Sequence, residues 1–209
     1  ATWSLTGDAT VAEGSTPSYL LALAGTLQAG ETASVNLAVS FPVAGPRNDP
    51  AETADFVNAF LTDIDTAITA YNTTVGISGQ FSRSGNTLTY TQGASDSAVN
   101  NLNITRATFN DTLVEGPEDY QLTISTPSST TGASVAVSGS TFVVTTTITD
   151  NDTATWSLTG DATVAEGATA SYLLALAGTL QAGETAKANL AVSFSVAGAR
   201  INQAETADF

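Results

Sequence analysis

The sequence predicts a mostly β protein built as a sandwich of two sheets and interrupted by one helix. Three observations predict it. Short runs alternate apolar residues with Thr or Ser, glycine-containing turns separate the runs, and one segment repeats its apolar residues every four positions. With 209 residues and 42% hydrophobic content, the chain is long enough to bury a core.

The chain also begins again part-way along. Ala1–Phe56 aligns with Ala154–Phe209 without gaps and differs from it at nine of 56 positions. The repeating unit is therefore residues 1–153, and residues 154–209 are the first third of a second unit. Because so long a unit can bury a core of its own, the repeat predicts tandem domains rather than the turns of a solenoid.

Alternating apolar residues mark several short strands along the chain. TWSLTG places Trp3 and Leu5 on one face, and Trp156 repeats Trp3 in the second unit, so both tryptophans are expected in or near the core. SYLLALAGTL (18–27) alternates less cleanly and allows burial on both faces, whereas TASVNLAVSF (32–41) alternates cleanly. Further runs are TLTYTQG, NLNITRATF, DYQLTIS and STFVVTTTITD. Seven or more short strands at this spacing predict a sandwich of immunoglobulin type.

One segment, DPAETADFVNAFLTDIDTAITAYN, has the periodicity of a helix. Its stripe is formed by Phe56, Phe60, Ile64 and Ile68. The stretch 49–52 (Asp-Pro-Ala-Glu) has the chemistry of a helix start, and a later start near Asp55 is the alternative. The pattern predicts one inserted helix per repeat, near 50–72 in the first, packed over an open end or edge of the sandwich. Asp63 and Asp65, two apart on this helix, are expected on its solvated surface.

The charge balance indicates which partners suit the chain. There are 20 acidic and 5 basic residues, giving a net charge of −15. Nucleic acids and anionic membranes bind through Lys and Arg, so both are poor partners here. No apolar run approaches the roughly 18 residues of a membrane span, so no membrane insertion is expected. A cation is the natural partner, and the alternative is that the acidity serves solubility alone.

Three residue types are missing altogether. Without Cys and His, the sequence excludes disulfides, thiolate sites, the usual zinc centres and Ser-His-Asp triads. We therefore expect no enzymatic activity. The additional absence of Met suits a long secreted protein, although drift in a repetitive sequence would also produce it. Because the first residue already lies inside a repeat, we expect the chain to be part of a longer protein.

Four acidic motifs follow one another through the unit. They are VAEG (11–14), TADF (53–56), NDTLVEGPEDY (110–120) and ITDND (148–152). Singly, each is ordinary turn chemistry. Together and in this order they resemble the Calx-beta domain, a sandwich module whose pattern is a Glu-Gly after the first strand, an Asp-aromatic pair, an Asp-Asp-x-x-x-Glu-Gly turn and a closing Thr-Asp-x-Asp. The resemblance covers nearly the whole unit except residues 57–80, which form an insertion.

The resemblance implies a calcium site at one end of the sandwich. Its implied ligands are Glu13, Asp55, Asp111, Glu115, Asp150 and Asp152. Asn110 and Asn151 stand where the family often has Asp, which implies one or two ions rather than a larger cluster. Calcium prefers about 6–8 oxygen ligands, and converging carboxylates repel one another unless a cation lies among them. The alternatives are that the acids lie on separate solvated loops, or that magnesium is bound instead.

These expectations lead to a structural function. The chain is expected to be a calcium-stiffened tandem repeat of a large extracellular bacterial surface adhesin or stalk, similar to adhesins that carry calcium-binding nonapeptide (RTX) repeats. Its partners would be neighbouring repeats of the same chain, with the ion stiffening the junction at 150–155. One alternative is a self-assembling subunit of an extracellular filament, sheath or surface layer, in which identical chains exchange strands. Another is a glycan-binding module.

Overall fold

The computed structural model describes residues 1–42, 50–74, 76, 78–94, 97–139 and 142–193. The described part of the first repeat contains eleven strands: β1 Thr2–Gly7, β2 Thr10–Ala12, β3 Ser18–Leu27, β4 Thr32–Ser40, β5 Gln80–Ser84, β6 Thr87–Thr91, β7 Ser97–Thr105, β8 Leu113–Val114, β9 Glu118–Ser128, β10 Ala136–Val137 and β11 Val143–Thr149. A 3-10 turn, Thr53–Asp55, and one helix, α1 Phe60–Asn72, lie between β4 and β5. The described part of the second repeat adds β12 Thr155–Gly160, β13 Tyr172–Ala177 and β14 Thr179–Leu180.

The first repeat is a two-sheet sandwich, which confirms the predicted fold class. One sheet has the order β10-β1-β3-β7 and the other has the order β2-β11-β9-β4-β6-β5. Most neighbours are antiparallel, while β2 runs parallel to β11 and β10 runs parallel to β1. Because the chain moves from β1 in one sheet to β2 in the other, the residues after β2 lie beside the end of β11. This crossing positions the acidic motifs described below.

The core lies between the two sheets. Trp3 and Leu5 are buried, as the alternation predicts, and β3 alternates after all, with Leu21 buried and Leu20 exposed. The strand is therefore buried on one face only. Three hydroxyl groups inside the core are paired with one another, since the hydroxyl of Tyr19 lies 2.5 Å from that of Tyr120 and 2.7 Å from that of Thr146. Such pairing removes the cost of burying a hydroxyl without a partner.

The inserted helix begins later than its sequence suggests. Asp49 lies outside the described residues, and Glu52 caps the 3-10 turn rather than the α-helix, because the Asp55 carboxylate accepts a hydrogen bond from the Glu52 N–H. The chain then pairs with the segment after β7, where Phe56 and Thr108 form an antiparallel bridge. The helix follows at Phe60, so both starts suggested by the sequence, at 49–52 and near Asp55, are wrong. In the second repeat the corresponding segment lies outside the described residues.

Helix α1 packs against β7 and β5, and so covers one edge of the sandwich. Its stripe buries Phe60 and Ile64, in agreement with the predicted periodicity. Asp65 is exposed and pairs with Arg83, but Asp63 is only 5% exposed and pairs with the buried Arg106 at 2.9 Å. The expectation that Asp63 faces solvent is therefore wrong. The buried arginine supplies the compensating charge that a buried carboxylate requires.

The second repeat reproduces the first two long strands of the first. β12 pairs with β13 in the register that joins β1 and β3, so that Thr155 faces Ala177 as Thr2 faces Ala24. No opposing sheet covers this hairpin within the described residues. Trp156 is consequently 36% exposed, whereas Trp3 is fully buried, and the prediction that both tryptophans lie in or near the core is wrong for Trp156. The helical residues described here include no stretch with the length and apolarity needed to cross a membrane.

Candidate metal centre

Strand pairing brings the first and last acidic motifs of the repeat together. β2 runs parallel to β11 with Ala12 opposite Thr149, and the N–H of Glu13 donates to the carbonyl of Thr149 at 3.0 Å. Glu13 therefore lies beside Asp150, which directly follows β11. The motifs VAEG and ITDND, far apart in sequence, meet because the two strands that carry them are neighbours in the sheet.

The turn after β7 brings in the third motif. The N–H of Gly14 donates to the carbonyl of Phe109, and the N–H of Asp111 donates to the Glu13 carboxylate at 2.6 Å. The Glu115 N–H donates to the Asp150 carboxylate at 2.8 Å. Gly14 has a φ of 72°, and a Cβ at this position would lie 2.7 Å from the Asn110 side chain. Glycine is therefore required by both backbone conformation and space.

Asp55 reaches the same place from the segment that precedes the helix. Its carbonyl accepts a hydrogen bond of 2.7 Å from the N–H of Phe109, so residues 55–57 run alongside 107–109. One oxygen of its carboxylate accepts a hydrogen bond from the Glu52 N–H, as part of the cap of the 3-10 turn. Asp55 nevertheless lines a cavity of about 160 Å³. The lining also includes Glu13, Asp111, Glu115 and Glu118.

The tightest group in this region is Glu13, Asp150 and Asp152. One carboxylate oxygen of each lies within 4.8 Å of the others, and all three side chains are half-buried. The Asp152 N–H donates to Asp150 at 2.7 Å, which holds the two aspartates in one tight turn. The Oδ2 atom of Asp152 is buried and has no hydrogen-bond partner among the described residues. A buried acceptor of this kind is unfavourable unless a cation or a donor reaches it.

Two asparagines form hydrogen bonds beside this group. The side-chain amide of Asn151 donates to the side-chain oxygen of Asn110 at 2.7 Å and to the Glu13 carbonyl at 3.1 Å. These are the two positions at which the sequence departs from the acidic pattern of the Calx-beta resemblance. Two aspartates could not form this hydrogen bond, because ionised carboxylates only accept. The amides thus join the two loops without adding negative charge.

Electrostatics in this region disfavour the ionised acids. Burial raises the pKa of Glu115 to about 7, and the carboxylates of Asp111, Asp55, Glu13 and Asp150 add to the effect. Burial also raises the pKa of Glu13, although the hydrogen bond from the Asp111 N–H opposes this shift. The pKa values of both groups are raised because the two carboxyl groups are partly buried among other carboxylates.

The structure therefore brings all six sequence-predicted residues to one end of the first repeat. Sequence reasoning missed one acid that lines the same cavity, Glu118, which is 5% exposed. Its position as the first residue of β9, directly after the EGP turn, was the available signal. Glu118 and Ile148 are register partners in β9 and β11, which places Glu118 at the same end of the sheet as Asp150.

The oxygen-rich donor set fits a hard divalent cation. Glu13, Asp150 and Asp152 would supply one carboxylate oxygen each, and Asp111, Glu115 and Glu118 lie around them. Calcium tolerates mixed carboxylate and carbonyl ligands in irregular loops, whereas magnesium demands near-octahedral geometry and retains its waters. The arrangement suits the larger ion better.

The similarity of this chain to known proteins is low. No protein-family model matches the chain, and no curated protein matches it either. Among solved structures, the apo form of the Calx CBD1 domain is similar at 17% identity with a TM-score of 0.42, covering 72% of this chain and 97% of that one. The calcium-binding domain CBD12 of CALX1.1 is similar at 14% identity with a TM-score of 0.37, covering 73% of this chain and 49% of that one.

Proposed function

We propose that this chain is a calcium-binding structural repeat of a large extracellular surface protein. One observation carries the proposal: Glu13, Asp150 and Asp152 converge within 4.8 Å, and no donor from the part of the chain that the structure describes reaches a buried Asp152 oxygen there. A bound cation would satisfy that oxygen and relieve the repulsion among its neighbours. One of the similar solved structures is titled a calcium-binding domain, but the proposal rests on the geometry of the site and not on that likeness.

Two features of the chain favour a mechanical role. Nearly identical units follow one another, and Asp152 is separated from β12 by only two residues. An ion held by Asp150 and Asp152 would therefore act on the short connection between units and limit its bending. The acidic surface and the absence of Cys, His and Met accord with a secreted location, and an adhesin or stalk is the class of protein that such repeats suit.

A second candidate function, a subunit of an extracellular filament, has one observation in its favour. The described part of the second repeat leaves apolar side chains of one hairpin face in contact with solvent, among them Leu158, Tyr172 and Leu174 at 58%, 66% and 37% exposure. Strands from another chain could cover this face. Within the described ranges, no comparable platform of exposed aromatic residues supports the glycan-binding alternative.

The repeat itself provides the control for a calcium experiment. Glu13 and Glu166 occupy the same position of the VAEG motif. Glu166 is exposed, however, and the described part of the second repeat does not reach the positions equivalent to Asp150 and Asp152. We expect Glu13→Gln to weaken calcium binding at least about tenfold, since losing one carboxylate lowers the charge of the ligand set, which sets calcium affinity. Glu166→Gln should leave it unchanged.

Isothermal titration calorimetry with calcium chloride measures both variants against the unsubstituted chain. Magnesium chloride in place of calcium tests the choice of ion. If the unsubstituted chain takes up no calcium, or if the two variants bind it equally, the proposed site is wrong.

A further inference from the structure

The short strand β8 belongs to neither large sheet and contacts the second repeat instead. Thr179 and Leu180 of β14 run parallel to Leu113 and Val114, and the N–H of Gln181 donates to the Val114 carbonyl at 3.1 Å. We propose that this contact is the interface between successive repeats: the acceptor strand Leu113–Gly116 of one repeat binds the donor segment Thr179–Glu184 of the next by strand addition.

The acceptor strand has two edges with different partners. On one edge, the Leu113 N–H donates to the Asp111 carboxylate at 2.7 Å and the Glu115 N–H donates to the Asp150 carboxylate. Because successive peptide groups in a strand point to opposite sides, the Val114 carbonyl faces the other edge, where Gln181 binds it. The side chains of the acidic site therefore hold the strand that receives the next repeat.

The donor sequence occurs twice, and the comparison shows what docking changes. Thr26–Glu31 and Thr179–Glu184 are both TLQAGE. In the first repeat, the Gln28 N–H donates to the carboxylate of Glu31 at 3.0 Å, within the same turn. In the second, the equivalent Gln181 N–H donates to Val114, and the Glu184 carboxylate accepts no hydrogen bond from the described residues. The turn thus exchanges an internal hydrogen bond for one between repeats.

Gly116 lies against the tip of a donor side chain. A Cβ on Gly116 would lie 3.2 Å from the Oε1 atom of Glu184. A second close approach lies on the linker side, where a Cβ on Gly178 would meet the Thr153 carbonyl at 2.9 Å. Glycines at these two points let the end of one repeat and the start of the next come together. The hydrogen bond between the repeats joins two backbone groups, the Gln181 N–H and the Val114 carbonyl, so the docking can be tested separately from calcium binding.

Cysteine cross-linking tests the interface in the whole chain. The protein has no native cysteine, so a disulfide can form only between introduced residues. Leu113 and Thr179 are direct register partners, and paired strands lie about 4.8 Å apart, a separation that a disulfide can span. The matched control is L113C with T26C, because Thr26 holds the same place in the donor sequence of the first repeat.

We expect T179C/L113C to form an intrachain disulfide at least about tenfold faster than T26C/L113C, because strand pairing raises the effective concentration of the two thiols. Peptide mass spectrometry after mild oxidation identifies the bond, and circular dichroism verifies that both variants fold. Gly116→Val in the T179C/L113C background should slow the reaction, and Glu184→Ala should restore it. Equal rates for the two cysteine pairs would overturn the proposal, whatever the calcium titration shows.

Discussion

Glu115 shows how the site constrains single residues. Burial and four neighbouring carboxylates raise its pKa to about 7, so the folded chain keeps a proton there at a pH at which the unfolded chain has lost it. A group with a raised pKa stabilises the fold below its unfolded value and loses that contribution as the pH rises through the folded value. Between pH 4.5 and 7 this residue therefore makes the calcium-free fold progressively less stable.

Glu115→Gln should remove most of that pH dependence. We expect the variant to gain about 1 kcal/mol of unfolding free energy in chelator at pH 8, a figure reduced for partial solvent screening, and to gain nothing at pH 4. Thermal unfolding at the two pH values measures the difference, and Glu166→Gln is the exposed control. A variant less stable than the unsubstituted chain at pH 8 would contradict the assignment.

The six candidate residues could be named from the sequence because the motifs that carry them together resemble the Calx-beta pattern. Glu118 could not, since it lies just beyond the motif and its burial depends on the pairing of β9 with β11. The pairing of Asp63 with Arg106 could not be predicted either. Nothing local distinguishes Asp63 from Asp65, and the partners are far apart in the chain.

At the scale of the elements, Arg106 joins the inserted helix to the sandwich. Its guanidinium group lies 3.7 Å from the centre of the Phe56 ring and pairs with Asp63 at 2.9 Å. Burial lowers the pKa of Arg106 and raises that of Asp63, and the ion pair opposes both shifts. The interaction thus fixes both the helix and the segment that carries Asp55.

Arg106→Met should leave the Asp63 carboxylate buried without its partner. We expect a loss of about 3–5 kcal/mol of unfolding free energy, the usual cost of breaking a buried ion pair. Urea unfolding followed by circular dichroism measures it, with the slope checked for two-state behaviour. Arg83→Met, which breaks the exposed pair with Asp65, is the control and should change stability little. Equal losses in both variants would show that the buried pair has no special role.

For the helix, the periodicity of the sequence predicts the buried face but not the first residue. The stripe from Phe60 to Ile68 correctly predicts which face packs on the sheets. The start is misplaced because Phe56 belongs to the same four-residue series yet lies in an extended segment, bridged to Thr108. Tertiary pairing overrides the local helical signal there, and it is this pairing that positions Asp55 at the acidic end.

At the scale of the whole molecule, the acidic site and the connection between repeats occupy the same end of the first sandwich. Asp150 and Asp152 belong to the site, and β12 starts at Thr155. Without a cation, repulsion among the carboxylates favours separation of the loops that carry them. A bound ion would remove that repulsion and hold the last turn of the first repeat against β2. The direction in which the second repeat leaves should then vary less.

Spin labels can measure this variation, because cysteines introduced at the exposed Ser84 and Ser157 would be the only labelling sites. We expect the distance distribution between the two labels, recorded by double electron–electron resonance, to narrow when calcium replaces chelator. Addition of Glu13→Gln should abolish the narrowing, because Glu13 lies close to Asp150 and Asp152. Addition of Glu166→Gln should preserve the narrowing, because Glu166 is exposed in the second repeat. If calcium binds but the distance distribution keeps its width, the ion stabilises a single repeat and does not stiffen the connection between repeats.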